Sequence, residues 1–265
     1  MPTATLLPHL LDGPGAALRA VWRRVRAWWD VLFFGALALV FALSPSTHDA
    51  RSRAATARLI HATTWQVLPW FGALSALISV ALIRIVVVTA QSYGLSQLAL
   101  EMVVRVLVLE LIPLAAALCV LLRAAVAGDI LPPAGAAWQG PLEAERWRLD
   151  LVPRVLALAF SVLALATVSA VLALLLAYTA VYGLSPWGFA PYTRMVGRVF
   201  DPAVSLGLVL KIGLFSLAVA IVPLASALQE AQRPVRAGIV LRSGTLRLLV
   251  VLLLIESGSL AVKYF

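Results

Sequence analysis

The sequence predicts an all-α, multi-pass membrane protein, and three observations carry that prediction. Of 265 residues, 62% are hydrophobic and the mean hydropathy is +0.98, where soluble domains hold roughly 45–50% apolar residues. Charged residues are only 12% and they are bunched: no Asp, Glu, Lys or Arg lies between Arg154 and Arg194, a stretch that no water-facing surface supplies. Four apolar runs reach the roughly 20 residues that a helix needs to cross a hydrocarbon core of about 30 Å.

Taken in chain order, Ala16 to Asp30 interleaves Arg19, Arg23, Arg24 and Arg26 with Trp22, Trp28 and Trp29, the make-up of an amphipathic helix lying at the headgroup boundary. Val31 to Leu43 is apolar for 13 residues before Ser44-Pro45-Ser46. That is too short to cross, so it reads as a re-entrant or interfacial segment. The arginines precede no small-residue cleavage site near the N-terminus, which argues against a cleaved signal peptide. The spans are Val67 to Ala90, Leu98 to Leu122, Val155 to Tyr182 and Val204 to Leu228, and Leu248 to Val262 makes a fifth once its flanks are added. The chain therefore divides into a cytoplasmic or interfacial N-terminal region, 1–64, and a single five-span domain, 65–265.

Basic residues orient the spans. Residues 1–64 hold seven Arg, 123–154 four and 229–247 four, whereas 91–97 hold none and 183–203 only Arg194 and Arg198. The positive-inside rule then puts the N-terminus in the cytoplasm and the C-terminus outside. The net charge of +9 reports this topology and no nucleic-acid partner.

Several chemistries are unsupported. Cys119 is the one cysteine, and His9, His48 and His61 all precede the first span, which leaves no disulfide framework and no metal-ligand spacing. The two lysines, Lys211 and Lys263, lie in or beside spans, and no phosphate-binding G-x-x-x-x-G-K-[ST] loop occurs. Glu256-Ser257-Gly258-Ser259 has no histidine to act as a base. The reading is a non-enzyme without a cofactor of its own; any ATP is hydrolysed by a partner.

From Arg58 onward, the order of local features resembles the MlaE/YrbE permease family, the membrane subunits of ABC systems that move lipids with MCE-domain partners. Gln91-Ser92-Tyr93 follows the first span, Leu109-Glu110-Leu111-Ile112-Pro113 stands where the family carries Arg-Glu-Leu-Gly-Pro, and Arg123-Ala124-Ala125 is similar to its Arg-Ala-Gly. Pro153-Arg154 opens the third span, Asp201 precedes the fourth, Leu210-Lys211 matches a Leu/Ile-Lys pair, and Glu256 takes the place of an acidic residue. The sequence departs at Leu109 and Ile112, and again between spans two and three, where the family carries a helix resembling an ATPase coupling helix. Here Pro132-Pro133 interrupts that interval, and Pro141 to Arg148 keeps helix-start character, with acids before bases. The resemblance implies contact with the ATPase through Asp129, Trp138, Glu143, Glu145, Arg146, Trp147 and Arg148.

Ionisable groups inside spans cost about 2.5–3.5 kcal/mol each at the helix centre and so call for a role. At about 1.5 Å per residue, Arg84, Glu101, Lys211 and Glu256 lie within roughly 5–10 Å of the outer face. Arg105 follows Glu101 by four residues, the order that pairs them on one helical face. Arg84, Arg105 and Lys211 then offer donors to a lipid phosphate, with Glu101 and Glu256 holding them in the empty site. The plain alternative is snorkelling to the headgroups. Glu110 lies deeper, one turn before Pro113, and its plain alternative is a protonated carboxyl bonded to carbonyls that the proline leaves free. Trp65, Trp70, Trp187, Phe189 and Tyr192 read as interface belts, and Gly183, Pro186, Gly188 and Pro191 as a turn-rich outer loop.

The resemblance thus implies a permease subunit of an ABC-type, MCE-linked glycerophospholipid transporter in a bacterial inner membrane. Its partners would be a second permease copy or a divergent homologue, a cytoplasmic ABC ATPase, a periplasmic MCE-domain protein and membrane lipid. Two alternatives remain open at this point: a non-transporting scaffold that anchors the MCE partner, and a secondary transporter, for which Glu110 with Pro113 is the relevant feature.

Overall fold

With no water in the bilayer core, backbone polar groups must be satisfied within each segment, and among the described residues the chain forms helices and no strand. The computed structural model describes residues 50–94, 96–127, 141–231 and 237–264, with isolated helical positions between Trp22 and Val40. Apart from those positions, the amphipathic helix expected over Ala16 to Asp30 and the segment Val31 to Leu43 lie outside the described residues. The first span is α1 (Ala50–Ile60), a π-helical turn (His61–Trp65) and α2 (Leu68–Ser92). The second is α3 (Ser96–Val103), a π-helical stretch (Val104–Leu111) and α4 (Ile112–Ala127). The third lies in α5 (Pro141–Tyr182), which a 3-10 turn (Pro186–Gly188) and α6 (Phe189–Val199) follow; α7 (Pro202–Ala231) and α8 (Ala237–Tyr264) carry the fourth and fifth. Among the described residues, five helices are long and apolar enough to cross a membrane, the number expected.

The helices extend beyond the spans they carry. The first helix begins at Ala50, ahead of residue 64, which falls in the π-helical turn. Pro153 stands at the start of the third span, Leu151–Tyr182, but inside its helix: α5 begins at Pro141 and passes through it, as helices in membranes do where neighbours and side chains re-satisfy the freed carbonyl. The outer loop holds α6, whose first turn accommodates Pro191. In chain order, the α2–α3 turn, α6, the start of α7 and the end of α8 share one face of the bundle, called here the α6 face. Gln66, the ends of α4 and α7 and the start of α8 share the opposite face.

Local chemistry explains the ends. Gly94 (φ 71°) and Gly183 (φ 64°) close α2 and α5 in the left-handed conformation that a side chain disfavours. Asp201 caps α7, its Oδ1 accepting the Val204 N–H at 2.7 Å, the bond that satisfies an orphan donor. The turn His61–Trp65 presents Thr63 and Thr64 to α5, where Ser161 Oγ lies 2.9 and 2.8 Å from their hydroxyls.

Spans two, three and four form the interior and spans one and five the flanks. Helices approach closely through small buried residues such as Ala116, Ala157, Ala166, Ala173 and Ala220, the usual device where lipid offers no hydrophobic drive between helices. One packed cluster centres on Phe215, Leu165 and Leu248, and a second, nearer the α6 face, on Ile83, Val104 and Tyr192. Trp65, Trp70, Trp187 and Phe189 are exposed. Tyr192 is not: it is buried beneath Tyr178 and Tyr182, its hydroxyl donating to the Leu174 carbonyl at 2.7 Å, which fastens α6 onto α5. Burial pushes its phenol up to about 12, with Tyr182 adding to the effect, so the hydroxyl stays a donor.

Candidate functional site

Lys211 sits nine residues into α7 with a side chain only 3% exposed, a depth at which an ammonium group requires partners. It has them on two other spans. Its Nζ donates to Glu110 Oε2, donates to the Leu109 carbonyl at 3.2 Å and lies 2.8 Å from Glu256 Oε2. The Phe215 ring, one turn further along α7, faces the same ammonium with its centroid 5.8 Å away. Lys263, at the end of α8, donates to the other Glu110 oxygen at 2.9 Å. Two lysines and two glutamates thus tie spans two, four and five together with no net charge.

Pro113, which has no N–H, lies four residues beyond Leu109, and the Leu109 carbonyl accepts from Lys211. The reading of Glu110 as a carboxyl bonded to carbonyls released by the proline is therefore corrected: Lys211 takes the carbonyl, and Glu110 faces two ammonium groups. Glu110 also lies in the π-helical stretch Val104–Leu111, a departure from α geometry common at functional sites.

The cluster borders a cavity of about 540 Å³ between spans two, four and five. Glu110, Lys211 and Lys263 supply its charge, Gly207, Gly258 and Ser259 keep its walls thin, and aliphatic residues complete it. Its size falls within the usual range of small-ligand sites, about 300–1,000 Å³. Chemically, it joins an apolar enclosure to two ammonium donors suited to an anion.

The other expected site residues lie elsewhere. Arg84 is exposed on α2. Glu101 and Arg105 form the pair expected from their spacing, at 3.1 Å and about one third exposed, but neither they nor Arg84 line the cavity. Asp129 and Trp138 lie outside the described residues. Glu143, Glu145, Arg146, Trp147 and Arg148 fall on α5, but their side chains also lie outside the described residues. Lys263 was not among the expected residues. A signal for it existed, since it follows Glu256 by seven positions, two helical turns, which places both on one face of α8.

Five apolar helices with a buried, charge-balanced cluster beside a mostly aliphatic cavity define a multi-pass membrane protein with a ligand-sized recess. The sequence matches the Permease MlaE family over residues 56–128 and 143–259, and the chain belongs to that family. The match takes in Glu110, Lys211 and Glu256, stops short of Lys263, and is interrupted across the interval that contains Pro132-Pro133. Comparison with curated proteins and with solved structures gives no match. Membership makes the chain a membrane permease of a lipid transport system, a transport subunit rather than an enzyme.

Proposed function

We propose that this chain is the permease subunit of an ABC-type, MCE-linked glycerophospholipid transporter, acting as a dimer in a bacterial inner membrane. The supporting observation is the cavity of about 540 Å³ with Lys211 and Lys263 at its margin. Its aliphatic walls suit acyl chains, and its two ammonium groups suit a phosphate, which would exchange with the Glu110 and Glu256 carboxylates. The arginine-rich loops put the N-terminus in the cytoplasm, so the α6 face is periplasmic and the cavity serves the outer leaflet. ATP is hydrolysed by a separate soluble subunit, engaged through residues 129–150. There, Glu143, Glu145, Arg146 and Arg148 supply polar contacts, and Asp129, Trp138 and Trp147 the remainder.

The test is purification of the native complex, with mass spectrometry of its subunits and bound lipid. The expected result is co-purifying phospholipid, an ATPase and an MCE-domain protein. Lipid occupancy should fall in Lys263→Gln and Lys211→Met, while both variants still elute as the folded complex. Unchanged occupancy in both variants overturns the cavity as the lipid site, and a complex without an ATPase overturns the ABC assignment.

A further inference from the structure

A second recess lies on the other side of the second span. It is a groove of about 770 Å³ between spans one and two. On α2 its lining residues Phe71, Leu74, Ser75, Ile78 and Ser79 recur at the three- and four-residue spacing of one helical face. From Leu107 to Arg123 the second span borders it for about 24 Å at 1.5 Å per residue. Its lining is apolar except for small polar groups and one charge, Arg123, toward the face of the bundle opposite α6.

Arg123 is incompletely satisfied. Its Nη2 donates to Gln66 Oε1 at 3.2 Å, whereas Nη1 is buried without a hydrogen-bond partner among the described residues. A buried guanidinium N–H left unpaired has lost its hydration without compensation, so the site favours an acceptor. Trp65 and Trp70, exposed beside Gln66 and Phe71 on the first span, mark this level as the membrane–water interface, where tryptophan concentrates. An unpaired cationic donor thus stands at headgroup depth, at the end of an apolar channel that runs toward the bilayer centre.

We infer that this groove binds a glycerophospholipid of the leaflet opposite the α6 face, its phosphate accepting from Arg123 Nη1 and an acyl chain lying between spans one and two. The complementarity is specific. An apolar helix from a second copy would cover the groove but bring no acceptor to Nη1, since its carbonyls are used within the helix. The site is distinct from the Lys211 cavity and does not depend on the transport reading.

The single cysteine, Cys119, lines this groove and is partly buried, which makes it a built-in reporter. The full-length protein in maltoside micelles is alkylated with a maleimide while dioleoylphosphatidylglycerol is titrated in. Dioleoylglycerol, with the same chains and no phosphate, is titrated in parallel. The phospholipid should protect Cys119 at about tenfold lower concentration than dioleoylglycerol, and Arg123→Gln should erase that difference, as expected for loss of one charge-assisted hydrogen bond.

Equal protection by the two lipids, or undiminished phospholipid preference in Arg123→Gln, overturns the inference. So does protection that rises with protein concentration in the absence of lipid, which would assign the groove to a second copy. Should Arg123→Gln fail to fold, Leu118→Trp fills the groove from within and should remove one bound phosphatidylglycerol in native mass spectrometry; an unchanged count overturns the site. Lipid held in the Lys211 cavity should persist in both variants.

Discussion

Glu101 and Glu110 stand nine residues apart on the same span, and each is paired with a base, yet the two pairings differ in kind. Glu101 meets Arg105 one turn along its own helix, with both side chains about one third exposed. Glu110 meets Lys211 and Lys263 from two other helices, with side chains at most 16% exposed. The first pair is a local bond that the surroundings screen, worth about 0.3–0.5 kcal/mol. The second closes a circuit of charges in which each partner's burial is tolerable only because the others are present. Position along one helix decides neither outcome; what the neighbouring helices bring to that depth does.

The largest expected effect that tests this contrast is Lys211→Met. It leaves Glu110 and Glu256 without their shared ammonium and should cost about 3–5 kcal/mol of stability, the usual result of breaking a buried pair. Thermal unfolding in detergent measures it, and a cost below about 1 kcal/mol would erase the distinction between the two pairings. Lys263→Gln removes one charged hydrogen bond and leaves Lys211 in place, so about 1.5–3 kcal/mol is expected from the same assay.

Tyr192→Phe, which detaches the hydroxyl from the Leu174 carbonyl without changing shape, should cost about 0.5–1.5 kcal/mol. Protease sensitivity of the α6 region should rise with it. The smallest effect belongs to Arg105→Ala, at about 0.5 kcal/mol or less, with lipid occupancy unchanged. A large loss of bound lipid in Arg105→Ala would instead extend the functional site along the span toward the α6 face.

What was legible in the sequence follows the same division. Apolar length defined the five spans, and a four-residue spacing identified the Glu101–Arg105 pair, because both properties are fixed within one helix. Depth along each span puts Lys211 and Glu256 at similar levels, and their charged groups lie 2.8 Å apart. The same reasoning grouped Arg84, Glu101 and Arg105 with them, because depth carries no information about azimuth, the direction in which each helix turns its side chains. Lys263 is absent from that group, although its seven-residue separation from Glu256 puts the two on one face. The π-helical stretches are unmarked by any residue pattern. They widen the helix where Thr63 and Thr64 meet Ser161, and where Glu110 meets the lysines. Tyr192 was assigned to an aromatic belt from its type alone, whereas its place under Tyr178 and Tyr182 is a product of tertiary packing.

The stretch Val104–Leu111 has a side on each recess: Leu109 and Glu110 border the charged cavity, and Leu107 and Leu111 border the apolar groove. It is a partition one helix thick, so the direction in which each of its residues turns decides which compartment that residue lines. Leu109 and Glu110 face the charged side, and Leu107 and Leu111 the apolar side, so one short helical wall keeps two chemically unlike recesses apart.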